Sequence, residues 1–191
     1  YKTIPNHSFF NLTILALDLS NNLIENIETN AFEELYDLYS LNLKLNKLKF
    51  LPTSHLIYLT ELILSSNKFE KINRDMFQNL NDLYTLLLDR NDIREIEENS
   101  FNRLLHKLDL SNNQINYLSN STFENLIKLS MLKLDFNIID IIEKDYFRRL
   151  NKLETLSLRT NQIKLIEKES FINLANVFEL NLEQQNLEFL Y

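Results

Sequence analysis

Leucine and other apolar residues recur along this chain in a fixed order that returns eight times. Each copy has the spacing L-x-x-L-x-L-x-x-N-x-L, and in the first copy these positions are Ile14, Leu17, Leu19, Asn22 and Ile24. The copies begin near residues 14, 38, 59, 83, 105, 129, 153 and 177, after a partial copy over 1–13. Internal periodicity of this kind predicts a stack of similar units, and so a single repeat domain over 1–191.

The x-L-x-L-x core of each copy alternates apolar and variable residues. Such alternation predicts a short strand with leucines on one side and variable residues on the other. One strand cannot bury its apolar face alone, whereas stacked copies share a continuous core. The copies are therefore expected to form a parallel sheet with strands about 4.8 Å apart.

The remaining constant positions indicate a known family. Phenylalanine follows the asparagine position by ten residues in most full copies, the second having Leu56 instead. This pattern resembles the leucine-rich repeat family, in the 24-residue, Phe-bearing class common in animal extracellular proteins such as Toll-like receptor ectodomains. The resemblance implies an α/β-class solenoid with a curved parallel β-sheet on the concave face. The convex face would carry loops or short 3-10 turns, with little true helix.

The asparagine column has a structural role in that family. Its amides face inward and bond the backbone of adjacent turns, and a buried amide without partners costs about 1–3 kcal/mol. By this resemblance we expect a structural ladder rather than a binding site from Asn22, Asn46, Asn67, Asn91, Asn113, Asn137 and Asn161.

Neither end of the chain carries a recognisable cap. Terminal repeats normally need a polar outer face, and the Cys-rich caps of extracellular family members are missing because the chain has no cysteine. We therefore expect the sequence to be a fragment of a longer protein.

Variable residues of the strands and the turns after them are expected to line the concave face, where the family usually binds partners. Leu45, Ile63 and Leu87 predict an exposed apolar patch, and an aromatic residue flanked by charges is typical of a binding hot spot. Strand propensity alone is the alternative explanation for these apolar residues. The candidate ligand-binding residues are Lys44, Leu45, Ile63, Leu87, Asp89, Arg90, Asp109, Lys133, Asp135, Phe136 and Arg159.

The sequence also contains candidates for two other kinds of site, a cation site and glycosylation acceptors. Asp89, Asp109 and Asp135 carry carboxylates that suit a cation, but neighbouring lysines pair with such groups, and no metal site is predicted. N-x-S/T acceptor patterns occur at Asn6, Asn11 and Asn120, clear of the concave positions. Their number is what chance would give, so only their placement fits a secreted setting.

Composition excludes several classes of function. The chain has no glycine and no cysteine, which excludes glycine-rich phosphate loops, disulfides and thiolate metal sites. The net charge of −7 argues against nucleic acid as a partner. The histidines at 7, 55 and 106 occupy non-equivalent positions, so neither catalysis nor a cofactor is predicted.

These observations predict a protein-protein recognition module. The leading hypothesis is part of the ectodomain of a Toll-like or other leucine-rich repeat receptor, or of a secreted protein. It implies an extracellular or cell-surface location, a protein ligand or co-receptor, an option to dimerise, and membrane contact only through segments outside this chain. A cytosolic scaffold or adaptor, and the substrate-recognition segment of a larger enzyme, are the alternatives.

Overall fold

A computed structural model describes residues 2–77 and 79–190, so Tyr1, Gln78 and Tyr191 of the predicted domain lie outside the described residues. Every regular element in this part of the chain is a strand of two or three residues. The strands are β1 (Thr3–Ile4), β2 (Ala16–Asp18), β3 (Asn26–Ile27), β4 (Ser40–Asn42), β5 (Glu61–Ile63), β6 (Lys71–Ile72), β7 (Thr85–Leu87), β8 (Glu95–Ile96), β9 (Lys107–Asp109), β10 (Met131–Lys133), β11 (Ile141–Ile142), β12 (Thr155–Ser157), β13 (Leu165–Ile166), β14 (Glu179–Asn181) and β15 (Phe189–Leu190).

One strand from each repeat enters a continuous parallel sheet. Within the described residues this sheet has eight strands in the order β14-β12-β10-β9-β7-β5-β4-β2. Its register is constant, because Leu62 lies beside Leu86 and Leu86 beside Leu108. Side chains alternate along a strand, so these central leucines enter the core while their neighbours face outward. The predicted solenoid fold is confirmed.

The leucine columns form one continuous core. Leu41, Leu62 and Leu86 are fully buried, and burial of each such side chain stabilises the fold by about 1.5–3 kcal/mol. The core ends at the last strand of the sheet, where Leu180 in β14 is 43% exposed.

The phenylalanine column sets the curvature of the solenoid. Ring centroids are 5.8 Å apart for Phe9 and Phe32, and 6.0–6.5 Å apart for successive rings from Phe77 to Phe171. Leu56 is buried in the interval between the two stacks. Parallel strands repeat at only about 4.8 Å. Since the repeats are wider on the phenylalanine side, the eight-stranded sheet is the concave face, as predicted.

Two-residue strands away from the main sheet were not predicted. They pair in parallel as β1 with β3, β6 with β8, and β11 with β13 and β15. Pro52 follows Leu51 between β3 and β6, and its missing N–H prevents the row from continuing through the second repeat. The rest of the convex side is made of turns. No described residue lies in a helix, so no helix here could cross a membrane.

Candidate binding surface

The asparagine column is hydrogen-bonded across repeats. Nδ2 of Asn91 donates to the carbonyl oxygens of Leu88 and Leu64, each at 3.0 Å, and its Oδ1 accepts from the Phe69 N–H at 3.1 Å. Each amide thus joins two repeats. The same bonds recur at the buried side chains of Asn46, Asn67, Asn113, Asn137 and Asn161.

The column changes at its two ends. Asn22 is exposed and bonds only the Leu19 and Ser20 carbonyls of its own repeat. Gln185 takes the asparagine position in the last repeat: its Oε1 accepts from the Ile163 N–H at 3.3 Å, and its Nε2 donates to the Leu158 carbonyl at 2.6 Å. The longer side chain therefore keeps the bonds to the preceding repeat.

The residue just before each ladder position is left-handed, with φ between 52° and 58°. Its N–H donates to a carbonyl of the next repeat, as Phe136 does to Arg159 at 2.8 Å and Leu45 to Ser65 at 3.0 Å. This conformation is therefore required by the stacking of repeats. We call the set the turn column, comprising Asn21, Leu45, Ser66, Arg90, Asn112, Phe136, Thr160 and Gln184.

The turn column contains residues that suit this backbone badly. Asparagine tolerates the left-handed region, whereas a larger side chain costs about 1–2 kcal/mol there. Leu45 and Phe136 bear that cost while remaining 47% and 45% exposed, so burial of their side chains offsets it only in part. Residues held in such conformations cluster at binding sites.

The outward residues of the strands form rows across the sheet. Ile63 lies in register with Leu87, Leu87 with Asp109, and Asp109 with Lys133, and all four are half-buried. Leu45 lies outside this row, in the turn column. Of the three residues expected to form an apolar patch, the register therefore brings Ile63 and Leu87 side by side and leaves Leu45 beyond the strand.

The three aspartates are held by hydrogen bonds within the sheet. Asp89 accepts from Oγ of Ser65, and Asp109 accepts from the Ser111 N–H at 2.9 Å. Asp135 accepts from Oγ of Ser157 and from the Arg159 N–H at 2.8 Å. No group of three or more metal-ligating side chains occurs in 2–77 and 79–190. The aspartates thus order the surface between repeats.

Phe136 and Arg159 contact each other across two repeats. The guanidinium carbon of Arg159 lies 5.9 Å from the ring centroid of Phe136, and its Nε lies 3.1 Å from Oε2 of Glu183. A cation over an exposed ring contributes about 0.5–1 kcal/mol. The pair presents a flat aromatic and cationic surface at the edge of the sheet.

Most cations on the sheet have no carboxylate partner. Among the described residues, no carboxylate oxygen lies within 4.0 Å of Lys44, Arg90, Lys107 or Lys133. By contrast, Nζ of Lys71, away from the sheet, pairs with two carboxylates at 2.8 and 2.9 Å. The sheet therefore carries cations without an ion-pair partner, interleaved with the hydrogen-bonded carboxylates of Asp89, Asp109 and Asp135.

An exposed row that was not predicted precedes the strands. We call it the leading row, and it consists of the residue that directly precedes each strand of the eight-stranded sheet. From Thr60 to Ser130, the backbone N–H of each of these residues donates to the carbonyl of the corresponding residue in the preceding repeat. Tyr39 and Tyr84 are 48% and 45% exposed, and Tyr84 stacks on His106 with ring centroids 4.2 Å apart. Tyrosine directly before a strand was the available sequence signal. The row comprises Leu15, Tyr39, Thr60, Tyr84, His106, Ser130, Glu154 and Phe178.

The sheet is an open surface. Cavities lie elsewhere, for example around Arg74 and Asn102, and none of the candidate ligand-binding residues lines them. A surface of this shape suits an extended ligand better than a small molecule.

The three glycosylation candidates are exposed and differ in how freely their amides project. Oδ1 of Asn6 accepts from the Asn30 N–H at 2.9 Å. Asn11 has φ of 60°, and Asn120 is exposed with no side-chain bond to another described residue. The side-chain amides of Asn11 and Asn120 therefore both project without a hydrogen bond to a described residue, unlike that of Asn6.

Comparison with known proteins agrees with this architecture. The leucine-rich repeat family model matches residues 57–115, 83–139, 103–156 and 127–187, which together cover 57–187. The crystal structure of the TLR13–ssRNA13 complex matches with a TM-score of 0.85 and 28% identity. That match covers 97% of this chain and 28% of the matched chain, so this chain spans little more than a quarter of its relative. No curated protein sequence matches significantly.

The predicted set of partners needs correction. The expectation that nucleic acid is not a partner rested on the net charge of −7. It is contradicted by the similar TLR13 structure, which is a complex with a single-stranded RNA. Net charge averages the whole surface, whereas a ligand meets the local charge. On the sheet this includes Arg90, Lys107 and Lys133, which have no carboxylate partner within residues 2–77 and 79–190. By its ladder, its sheet and the family match, this chain belongs to the leucine-rich repeat family.

Proposed function

We propose that this chain is the ligand-recognition segment of a Toll-like or other leucine-rich repeat receptor, and that the concave sheet binds the ligand. The proposal assigns contacts to the predicted residues Lys44, Leu45, Ile63, Leu87, Asp89, Arg90, Asp109, Lys133, Asp135, Phe136 and Arg159. The asparagine ladder holds the repeats that present them.

One observation carries the proposal. Leu45, Arg90 and Phe136 occupy left-handed turn positions where asparagine serves in other repeats. Leu45 and Phe136 are also about half exposed, so burial within this chain compensates their unfavourable conformations only in part. A bound ligand would supply that compensation by covering the side chains.

Single-stranded RNA is the ligand class that we propose. Support comes from the similarity to the TLR13–ssRNA13 complex, from the open sheet, and from the unpaired cations. Lysine and arginine bind phosphate with release of counterions, which makes affinity depend on salt. The aspartates oppose such binding, because the hydrogen bonds that they accept from neutral donors fix their positions without neutralising their charge.

Charge reversal on and off the sheet tests this proposal. Lys133→Glu changes a sheet cation, and Lys168→Glu makes the same change in net charge at an exposed residue away from the sheet. The probe is a labelled single-stranded oligoribonucleotide long enough to cross the sheet, with binding followed by fluorescence anisotropy. We expect Lys133→Glu to weaken binding several-fold and to reduce the salt slope by about 1, as for a phosphate contact.

Lys168→Glu should leave the affinity close to that of the unaltered protein. Equal weakening by both variants would mean that only total charge matters, and it would contradict a site on the sheet. Failure of the unaltered protein to bind the RNA at low salt would refute this ligand class.

An extracellular location is part of the same proposal. Expression through a secretory pathway should place a glycan on Asn120, because its side chain is exposed and outside the sheet. Intact-mass measurement before and after glycosidase treatment checks this, with Asn120→Gln as the control. A secreted product carrying no glycan at any of the three asparagines would remove this support for the location.

A further inference from the structure

The leading row contains a slot beside Tyr84 that suits a flat ring. Parallel strands are about 4.8 Å apart, and the ring centroids of Tyr84 and His106 are separated by 4.2 Å with an interplanar angle of 13°. Two rings on adjacent strands at this distance stack along the row, so the normal of the Tyr84 ring runs along it. The other face of Tyr84 therefore looks toward the previous member of the row, Thr60.

Thr60 leaves this space open. It is a small, half-buried residue whose Oγ1 donates to the Tyr39 carbonyl at 3.0 Å. Beyond it lies Tyr39, two strands away from Tyr84 and thus about 9.6 Å distant along the row. Offset-stacked rings have centroids about 4.5–7 Å apart, so one ring between two others needs about 9 Å or more. The separation of Tyr39 and Tyr84 suits a single inserted ring.

The position of the Tyr84 ring is supported from behind. Nδ1 of His106 donates to the Leu104 carbonyl at 2.7 Å, which holds the imidazole against Tyr84. Among the described aromatic side chains, only His106 stacks on Tyr84. Tyr84 is 45% exposed, so a large part of its surface is open to a ligand.

Charges of both signs lie around the slot, and two lysines on the following strands suit the phosphates linked to a stacked base. Lys107 follows His106 directly and lies in register with Met131, whose strand also carries Lys133. Neither lysine has a carboxylate partner among the described residues. The acidic residue next to Thr60 in sequence is Glu61, whose carboxylate accepts a hydrogen bond from Oγ of Ser40 at 2.8 Å.

We infer that Tyr84 stacks a nucleobase of single-stranded nucleic acid in the slot over Thr60, bounded on its other side by Tyr39. Lys107 and Lys133 lie on the side where the phosphates of the same strand would pass. The inference rests on the proposed function and adds the base as the group recognised. Stacking on tyrosine requires only a π-face, so the slot accepts any base in an unpaired strand.

The experiment compares two labelled oligoribonucleotides of the same length, one with bases and one with abasic residues. Tyr84→Leu should weaken binding of the base-containing strand roughly tenfold, in line with the loss of one stacked base. Tyr84→Phe retains the ring and should bind like the unaltered protein. Thr60→Trp fills the slot while keeping Tyr84, and it should weaken binding as Tyr84→Leu does.

Two controls make the result specific. Tyr36→Leu removes a tyrosine that is 65% exposed and outside the leading row, and it should not change affinity. On the abasic strand, Tyr84→Leu and the unaltered protein should bind alike, because no base is present to stack. Far-UV circular dichroism establishes that each variant is folded.

Several outcomes would overturn the inference. Undiminished affinity of Tyr84→Leu for the base-containing strand would do so, as would an equal loss on both strands. If Lys133→Glu weakens RNA binding while Tyr84→Leu and Thr60→Trp do not, the sheet remains a binding surface and the base slot is refuted. If the unaltered protein binds neither strand, both proposals fail.

Discussion

The ladder and the turn column are adjacent in sequence and differ in almost every physical property. Asn46 is buried and bonds the backbone of two repeats, whereas Leu45, one residue earlier, is 47% exposed. The ladder is asparagine in seven of the eight repeats, while the turn column holds seven residue types. The turn column connects successive repeats through its backbone N–H groups, whereas the ladder connects them through its side chains.

This difference separates the folding role of the repeat from its proposed binding role. A ladder side chain must satisfy two carbonyls and one N–H of fixed geometry, which asparagine does and glutamine does in part. A turn residue satisfies its neighbours through its own N–H, so its side chain is free to vary. Variation there costs conformational energy but leaves the stacking bonds intact.

The largest expected effect is on stability, from Asn91→Ala. This change leaves the carbonyls of Leu88 and Leu64 and the N–H of Phe69 without their side-chain partner in the core. We expect a loss of about 3 kcal/mol or more in the free energy of unfolding, measured by chemical denaturation. Asn22→Ala, at the exposed end of the ladder, should cost less than about 1 kcal/mol. Equal losses of unfolding free energy in Asn91→Ala and Asn22→Ala would show that buried and terminal ladder positions do not differ in their contribution to stability.

A change of opposite sign is expected in the turn column. Leu45→Asn replaces an exposed leucine at φ of 58° by the residue found at Asn21 with the same φ. Relief of the left-handed penalty should stabilise the protein by about 1 kcal/mol. Thermal unfolding followed by circular dichroism measures this, and a clear loss of stability would show that Leu45 makes contacts that hold the fold.

A smaller effect is expected outside both columns, where ion pairs join neighbouring repeats. Nζ of Lys71 lies 2.8 Å from Glu97 and 2.9 Å from Glu95. The hydrogen bond from Lys71 lowers the pKa of Glu97 below its ordinary value of 4.5, and the bond to Glu97 raises the pKa of Lys71 above 10.5. The carboxylate therefore stabilises the fold above about pH 4.5 and loses this effect as pH falls through the lowered pKa.

For Lys71→Met we accordingly expect a slight fall in melting temperature at neutral pH and no fall at pH values below the carboxylate titration. The charged Lys71 side chain stabilises the fold until pH rises through its raised pKa. The pH range over which the ion pair stabilises the protein therefore extends into alkaline conditions. Lys164→Met, which removes an exposed lysine outside the ion pairs of the described chain, is the control. A difference that persisted in acid would point to lost packing instead.

The leucine, asparagine and phenylalanine spacing was sufficient to predict the fold, because each column repeats in sequence with the period of the solenoid. This spacing shows which side of each strand faces the core, how many repeats there are, and in which direction the solenoid curves. The left-handed turn before each asparagine was harder to predict from the sequence. Leucine and phenylalanine disfavour this backbone conformation, and it is imposed only by the hydrogen bonds between stacked repeats. The interruption at Pro52 was readable in principle from its missing N–H.

The candidate surface was predictable only in outline. Alternation along a strand identifies the residues that face outward, but it does not show that Asp135 is already bonded to Ser157 and Arg159. The stack of Tyr84 on His106 depends on rotamers of residues 22 positions apart. Net charge misled the choice of ligand class, because it does not record which cations lack partners.

The most direct test of the central claim is the affinity of one triple variant, Leu45→Asn, Arg90→Asn and Phe136→Asn, for the labelled single-stranded oligoribonucleotide. All three substitutions place asparagine in the conformation that it already adopts at Asn21 and Asn112, so the fold should be retained or stabilised. If the turn column recognises the ligand, the affinity falls by at least about tenfold, equivalent to 1.4 kcal/mol. A folded triple variant that binds as tightly as the unaltered protein would contradict the account.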